Sequence, residues 1–139
     1  MNYKSWVDEV PEKLKTDLIW KFPAYSKALL LFDLVWEDCD RLKDDIRGKA
    51  LINQLIRSSD SISANIDEGF GRGIERPEYA YYLRVALGSA RETRSRYFKL
   101  RHLIPPEVIQ HRLSACDEIV ALLTIAVKKY RKPPCPHPK

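Results

Sequence analysis

The sequence predicts an all-α protein, an antiparallel up-down four-helix bundle with a short N-terminal helical extension. Three observations lead to this prediction. Apolar residues recur every three or four positions through four long segments, prolines separate those segments, and no segment shows strand alternation bounded by hairpin turns. A chain of 139 residues, 45% hydrophobic and 31% charged, suits one domain with a real core. Four helices of about 20 residues joined by short links pack as a bundle.

The first 22 residues differ from the rest, because their apolar side chains are scattered among charges and interrupted by Pro11. We expect a short helix near Glu12 to Trp20 that packs on the bundle or on a neighbouring subunit. Residues 1–22 are therefore predicted to form an N-terminal extension. Five large side chains in and just beyond it have no clear place in the predicted core: Trp6, Trp20, Phe22, Tyr25 and Trp36.

The bundle is predicted over residues 23–131, and its first helix is expected to end at Gly48. The second helix is expected to end in the glycine cluster Gly69, Gly71 and Gly73, since glycine terminates helices readily. The first helix presents one apolar row: Ala28, Phe32, Val35, Cys39, Leu42 and Ile46. The second presents two adjacent rows: Leu51, Leu55, Ser58, Ile62, Asn65 and Gly69, beside Ile52, Ile56, Ser59, Ser63, Ile66 and Phe70.

The third helix is predicted to begin where Pro77 suits a first helical turn, and the fourth is entered through Pro105 and Pro106. The row of the third helix comprises Tyr79, Leu83, Ala86, Ala90, Thr93, Tyr97 and Leu100. The row of the fourth comprises Ile109, Leu113, Cys116, Val120, Leu123, Val127 and Tyr130. Residues 132–139 are rich in proline and are predicted to be a mobile tail.

Charge divides the chain into two unequal halves. Residues 1–70 contain 10 Lys and Arg against 13 Asp and Glu, whereas residues 71–139 contain 14 against 6. The net charge is +5 and the sequence pI is about 9.1. A basic half favours a polyanionic partner, because attraction to phosphates grows with the number of cations and depends little on sequence. Basic helices that only aid solubility are the alternative.

The third helix concentrates this positive charge, with six cations from Arg84 to Arg101 against the single acid Glu92. Aromatic side chains lie between them, and arginine with aromatics can hold phosphates and stack bases. The predicted nucleic-acid-binding residues are Arg84, Arg91, Arg94, Lys128, Lys129 and Arg131. In the alternative interpretation, these arginines form ion pairs, within or between subunits, with an acidic run of the first helix: Glu37, Asp38, Asp40, Asp44 and Asp45.

A polar line runs down the otherwise apolar second helix, through Gln54, Ser58, Ser61, Asn65 and Glu68. Small side chains let two helices approach closely, so we interpret this line as a structural network of internal hydrogen bonds. Its predicted members are Arg57, Asn65, Glu68, Arg72, Ser89 and Glu92. A polar groove that holds a ligand is the functional alternative.

No pattern in the sequence predicts catalysis or a bound cofactor. It lacks a nucleophile–base pair, a phosphate-binding loop before a helix, and a metal-ligand set. Cys39 and Cys116 fall on apolar rows and are predicted to be core residues. Cys135 and His137 are only two ligands in a Pro-rich tail, which is too few to predict a metal site. We therefore expect a protein that is not an enzyme and has no catalytic residue.

The sequence also predicts the subcellular location of the protein. Three cysteines without a close pair suit a reducing cytoplasm. The residues after Met1 do not form a signal peptide. The longest apolar run, Ala28 to Phe32, is far shorter than a membrane span. We expect a soluble cytoplasmic protein with no membrane partner.

The segment from Gln54 to Arg72, QLIRSSDSISANIDEGFGR, resembles the signature of the four-helix-bundle proteins encoded in intervening sequences of bacterial 23S rRNA genes. The next helix resembles that of the family at Tyr79, Leu83, Ala86, Gly88, Ser89, Ala90 and Glu92, and the similarity covers about residues 24–128. The resemblance implies an up-down bundle that assembles as a pentameric ring, without established catalysis. It also implies distant similarity to the accessory variability determinant of diversity-generating retroelements, a ring that binds nucleic acid and a reverse transcriptase. The N-terminal extension and the Pro-rich tail depart from the family pattern.

Taken together, the residues and the resemblance predict a homo-oligomeric, non-enzymatic bundle that presents a basic surface to RNA or DNA. The first alternative is a protein-interaction scaffold, for a partner such as a reverse transcriptase, without direct nucleic-acid contact. The second alternative is a bundle that binds a small molecule or a metal.

Overall fold

Helices make up almost all of the computed structural model, which describes residues 2–131; the tail predicted over 132–139 lies outside the described residues. The six helices are α1 (Tyr3–Glu9), α2 (Glu12–Lys15), α3 (Pro23–Leu42), α4 (Ile46–Arg72), α5 (Glu78–Lys99) and α6 (Pro106–Tyr130). Two short 3-10 turns accompany them, at Leu18–Lys21 and Leu100–His102. No strand occurs in this part of the chain, so the all-α prediction is confirmed.

The four long helices α3 to α6 pack side by side around one core. Each contacts the next along the chain, and α6 returns to α3. Hydrogen bonds set the direction of α4 against α5: Ser58 bonds with Thr93, and three residues later Ser61 bonds with Ser89, four residues earlier on α5. These two helices are therefore antiparallel.

The turn between α3 and α4 corrects the expected end of the first helix. The chain leaves α3 after Leu42, and α4 begins at Ile46. Asp45 caps α4, because its carboxylate accepts hydrogen bonds from the backbone N–H groups of Arg47 (2.8 Å) and Gly48 (3.0 Å). Gly48 thus lies in the first turn of α4, where a Cβ would come within 2.7 Å of the Leu42 carbonyl oxygen. Its role is close packing and not termination.

The other helix boundaries are confirmed, except that one residue of the glycine cluster and not three ends the second helix. Helix α4 ends at Arg72, and Gly73 follows with a φ of 110°, a left-handed conformation that favours glycine. Gly69 and Gly71 lie inside α4, and Gly69 allows close packing, because a Cβ there would come within 2.9 Å of Tyr82. Pro77 precedes α5, and Pro106 is the first residue of α6.

The apolar rows are confirmed for α5 and confirmed in part for α3 and α6. Every residue in the predicted α5 row is buried. In α3 the buried face comprises Ala24, Tyr25, Ser26, Ala28, Leu31, Leu34, Val35, Asp38 and Leu42. In α6 it comprises Ile109, Arg112, Cys116, Ile119, Leu123 and Ala126. About half of each predicted row is therefore buried, while at most other predicted positions the preceding residue is buried instead. Ile46, predicted in the α3 row, is 85% exposed. One buried residue in each helix is charged, Asp38 in α3 and Arg112 in α6, so the apolar pattern predicted the neighbouring Cys39 and Leu113 instead.

The N-terminal extension packs against α3 as two short helices and a 3-10 turn, instead of one helix near Glu12 to Trp20. The Trp6 indole N–H donates a 2.7 Å hydrogen bond to Asp33, and the Trp6 and Trp20 rings stack 6.2 Å apart. Trp6 and Tyr25 are buried, and Trp20 and Phe22 pack against the core. Of the five aromatic residues without an expected place, only Trp36 is exposed, at 67%.

A buried ionic cluster joins α3, α5 and α6. The Asp38 carboxylate is fully buried and accepts hydrogen bonds from Arg112 Nε (2.7 Å) and Nη2 (3.0 Å) and from the Tyr97 hydroxyl (2.7 Å). Paired donors of this kind offset the cost of burying a charge. The cluster therefore fixes the relative position of three helices.

The surroundings of the cluster keep its arginine charged and its tyrosine neutral. Burial alone lowers the pKa of Arg112, but the hydrogen bond and the charge of Asp38 outweigh it, so the pKa is raised. Burial, reinforced by the Asp38 charge, raises the pKa of Tyr97 far above its usual range. Arg112 Nη1 also donates to His111 Nδ1 at 2.7 Å. Burial and the adjacent arginine lower the pKa of His111, in keeping with an imidazole that accepts this bond.

Removing the acid should damage the fold far more than removing the tyrosine hydroxyl. We expect Asp38→Ala to lower the free energy of unfolding by about 3–5 kcal/mol, because it leaves Arg112 charged, buried and unpaired. Tyr97→Phe should cost only about 1 kcal/mol, since Arg112 still neutralises the carboxylate. Urea unfolding followed by circular dichroism measures both. Equal and small decreases in the free energy of unfolding for the two variants would contradict a buried ion pair that excludes water.

Candidate nucleic-acid interface

The outer face of α5 carries the densest positive charge in the described chain. The buried row from Tyr79 to Tyr97 forms the side of α5 that faces the core. The remaining residues of α5 therefore face away from the core. Arg84 and Arg91 are exposed on this outer side, seven residues apart and hence on the same face of the helix. Burial of one face has therefore arranged the basic residues on the other.

A shallow pocket of about 300 Å³ lies on this face. Its lining residues are Gly88, Arg91, Glu92, Ser95, Arg96 and Lys99. Gly88 lacks a side chain, and nothing lies within 4 Å of the position a Cβ would take. Gly88 and Ser95 are two helical turns apart, so small residues form the low part of the pocket between longer basic ones. A backbone phosphate can approach closely there.

The basic surface continues past α5 onto a second helix. A neighbouring pocket of about 210 Å³ is lined by Arg47 of α4, by Lys99, and by His102 of the following 3-10 turn. Arg47 also lies 3.5 Å from the Asp45 carboxylate. We call the set Arg91, Arg96, Lys99, Arg47 and His102 the basic groove. Arg47 and His102 were missed by the sequence reasoning, because they belong to other elements and meet Lys99 only in the folded chain.

Arg96 has a distinctive environment within the groove. Its side chain is partly buried, and its Nε atom is enclosed without a hydrogen-bond partner among the described residues. An enclosed donor without a partner is costly unless a ligand or water satisfies it. Because the Nε atom is enclosed, only the part of the guanidinium group that lines the pocket can contact a ligand.

The structure separates the six residues predicted to bind nucleic acid. Arg91 lies in the groove and Arg84 lies further along the same face. Arg94 turns towards α6, where its Nη1 donates to Asp117 at 2.6 Å, so it is engaged in holding two helices together. Lys128, Lys129 and Arg131 are exposed at the end of α6.

The end of α6 is remote from the groove. The Tyr130 ring packs edge-on against the Tyr79 ring, 4.7 Å between centroids, at the start of α5. The groove lies near the opposite end of α5, around Lys99. The structure therefore offers two basic patches, a groove and a terminal cluster, where the sequence predicted one set.

The ion pairs predicted between α5 and the acidic run of α3 are not formed within residues 2–131. Asp38 binds Arg112 and lies 3.4 Å from Arg41, while Asp40 lies 3.5 Å from Lys43. Asp38 and Asp40 are thus paired locally or with α6, whereas Glu37 has no ion-pair partner among residues 2–131. This leaves the α5 cations without acidic partners from α3 in the single chain.

The predicted polar network is partly connected. Asn65 Nδ2 donates to the Ser61 carbonyl (2.7 Å) and hydroxyl (2.9 Å), and the Ser89 hydroxyl bonds with that of Ser61 at 2.8 Å. Asn65 therefore reaches α5 only through Ser61. The network continues at Thr93, whose hydroxyl bonds with Ser58 at 2.9 Å.

The charged members of that network lie on the surface. Arg72 Nε donates to Glu68 at 3.0 Å in a half-exposed ion pair one helical turn apart. Arg57 and Glu92 are exposed and form no ion pair in the described part of the chain. The two helices are thus held by hydroxyl groups, with charges only at the edge.

The described residues offer little for a metal or a reactive thiol. Between residues 2 and 131, no three His, Cys, Asp or Glu side chains are grouped to hold a metal ion. Burial raises the pKa of Cys116 to about 12, so its thiol stays protonated. Cys135 and His137 lie outside the described residues. No helix in residues 2–131 is both long and apolar enough to cross a membrane.

Comparisons with known proteins agree with this architecture. The sequence model of a family described as 23S rRNA-intervening sequence protein matches residues 21–125. A crystal structure of an S23 ribosomal protein family member from Bacteroides thetaiotaomicron superposes with a TM-score of 0.68 at 25% identity, covering 76% of this chain and 98% of that one. No curated protein matches the chain. The matched region omits most of the N-terminal extension.

The hydroxyl network yields a prediction about stability. Ser61→Ala should lower the free energy of unfolding by about 1–3 kcal/mol, because the Ser89 hydroxyl loses its partner in a buried helix contact. Ser95→Ala, on the exposed face of α5, is the matched control and should change stability little. Thermal melting compares the two variants. Identical melting would mean that the polar line does not hold the helices together and would favour a ligand groove.

Proposed function

The chain belongs to the 23S rRNA-intervening sequence protein family, and we propose that it binds the phosphodiester backbone of RNA or DNA without catalysing a reaction. The observation that carries this proposal is the basic groove. Arg91, Arg96 and Lys99 line one depression with the small residues Gly88 and Ser95 and with Glu92. Lys99 also lines the adjoining depression, together with Arg47 and His102 from other elements. Cations from separate elements that line adjoining depressions can contact successive phosphates of a strand.

The chemistry of the groove favours backbone contact over base recognition. Its donors are arginine and lysine side chains on the outer face of a rigid helix, which suit phosphate oxygens. Arg96 also lines the groove and adds a second arginine beside Arg91. Phe98, 53% exposed with Arg101 stacked 4.1 Å from its ring centroid, lies next along the helix and offers a face for a base. We therefore expect weak sequence preference.

We also propose that the four long helices form an antiparallel up-down four-helix bundle and that the protein is a homo-oligomeric ring. The bonds between α4 and α5 and the return of α6 to α3 support the bundle. The family resemblance implies a pentamer. Large apolar side chains outside the extension are exposed, among them Ile46, Ile74, Tyr81 and Ile125. A ring would repeat each groove and combine weak phosphate contacts through multivalency.

Nucleic-acid binding should depend steeply on salt. For about four phosphate contacts, raising salt from about 50 to about 200 mM should weaken binding to a single strand by about 50-fold. Arg91→Glu with Lys99→Glu should weaken it by at least about tenfold at low salt, because each reversal repels a phosphate. Fluorescence anisotropy of a labelled oligouridine strand measures this, with a DNA strand of matched length as competitor.

The matched control is Lys4→Glu with Lys21→Glu, which makes the same change of charge at two exposed sites of the N-terminal extension. It should leave binding nearly intact. Equal weakening by both pairs would contradict a specific groove. Salt-independent or absent binding to both strands would contradict the polyanion role and favour the protein-scaffold alternative.

The ring makes a separate prediction. Static light scattering should give a mass close to five times the 16.2 kDa of one chain, and dilution should weaken nucleic-acid binding as the ring dissociates. Tyr81→Glu, which places a charge on an exposed apolar position, serves as the interface probe. A stable monomer at every concentration would refute the ring.

A further inference from the structure

A second groove lies between the N-terminal extension and the outer face of α3. It encloses about 320 Å³, and Trp6, Pro11, Leu14, Leu29 and Phe32 form its apolar lining. Residues before 21 precede the region that matches the family. Half of this groove is therefore built by residues outside the region that matches the family, and the groove is separate from the basic groove.

The apolar surface continues beyond the groove. Trp36 follows Phe32 by one turn of α3, and the two rings lie 6.4 Å apart. Trp36 is 67% exposed and Leu14 is 48% exposed. Large apolar side chains that cluster on a surface mark an interaction site, since water solvates them poorly. Tryptophan is the side chain that most often anchors such an interface.

The walls of this groove are fixed before any partner arrives. The Trp6 indole donates to Asp33 at 2.7 Å and stacks on Trp20. Lys15 ties α2 back to α1, because its ammonium group donates to the Val7 carbonyl at 3.2 Å and pairs with Glu12 at 3.0 Å. A preformed groove binds without the entropic cost of ordering its walls.

The rim of the groove is acidic. From Ala28 to Asp40, α3 has neither lysine nor arginine, and three of its carboxylates, Asp33, Glu37 and Asp40, lie outside the core. Asp33 lines the groove together with Glu9 of α1, and Glu37 is exposed beside Trp36. Neither Glu9 nor Glu37 has an ion-pair partner among residues 2–131. Phosphates would be repelled here, whereas lysine and arginine would be attracted.

We propose that this groove docks a cationic segment of a partner polypeptide. One large apolar side chain of the segment packs between Leu14, Phe32 and Trp36, and its lysine or arginine side chains face Glu9 and Glu37. The apolar contact supplies affinity, and the charges select a basic partner and orient it. The proposal is independent of nucleic-acid binding, because α3 lies across the core from α5.

The probe is a fluorescent amphipathic peptide of about 14 leucine and lysine residues, with a leucine and glutamate peptide of the same pattern as its counterpart. We expect the lysine peptide to bind and to shift tryptophan emission, and the glutamate peptide not to bind. Trp36→Ala should weaken binding by about tenfold or more, since an exposed aromatic anchor is lost. Glu37→Lys should weaken it similarly through charge reversal. Both residues are exposed, so circular dichroism should confirm unchanged folding.

Asp60→Lys is the matched control, because it makes the same change of charge at an exposed position of α4. It should leave peptide binding intact. Equal weakening by Asp60→Lys and Glu37→Lys would overturn the proposal in favour of diffuse attraction, as would failure of the lysine peptide to bind. A lower mass for Trp36→Ala in light scattering without peptide would also overturn it, since a second copy would then cover this face. None of these results alters the oligouridine measurements, so the two proposals fail separately.

Discussion

The burial of one carboxylate constrains the arrangement of the long helices. Asp38 lies on the core side of α3, and its charge is tolerated only because Arg112 of α6 and Tyr97 of α5 both donate to it. The geometry of these bonds leaves little freedom to slide or rotate α6 against α3. The buried faces of α3 and α6 differ in part from the predicted apolar rows for the same reason. Each helix must turn its charged residue inward to form the pair.

That constraint also decides how charge is displayed outside. Because α3 buries Asp38 in the core, Asp33 and Glu37 lie on its exposed side next to Trp36. Helix α5 buries an uninterrupted row of apolar and hydroxyl residues and turns its arginines outward. Because α3 and α5 lie diagonally across the core, the protein carries an acidic aromatic face and a basic face. One packing arrangement thus underlies both proposed binding surfaces.

The candidate site could be predicted from sequence only where it lies within one helix. Arg84 and Arg91 share a face because they are seven residues apart, which any helix of this sequence would produce. Arg94 could not be assigned in this way, since only the packing of α6 against α5 brings Asp117 to its guanidinium group. Arg47 and His102 join the groove for the same reason. Charge pairing between helices depends on distance in space, which spacing along the chain does not encode.

By itself the sequence determined the four long helices, most of the boundaries between them, the buried row of α5, and the family. These follow from spacing, proline and glycine, all of which act locally on the backbone. The tertiary structure decided which residues form the core of α3 and α6, because the benefit of burying Asp38 exists only when Arg112, 74 residues away, is beside it. It also placed Trp6 against Asp33 and so created the acidic aromatic groove. Interactions between distant residues have no local signature, and they decide which side chains this protein exposes on its surface.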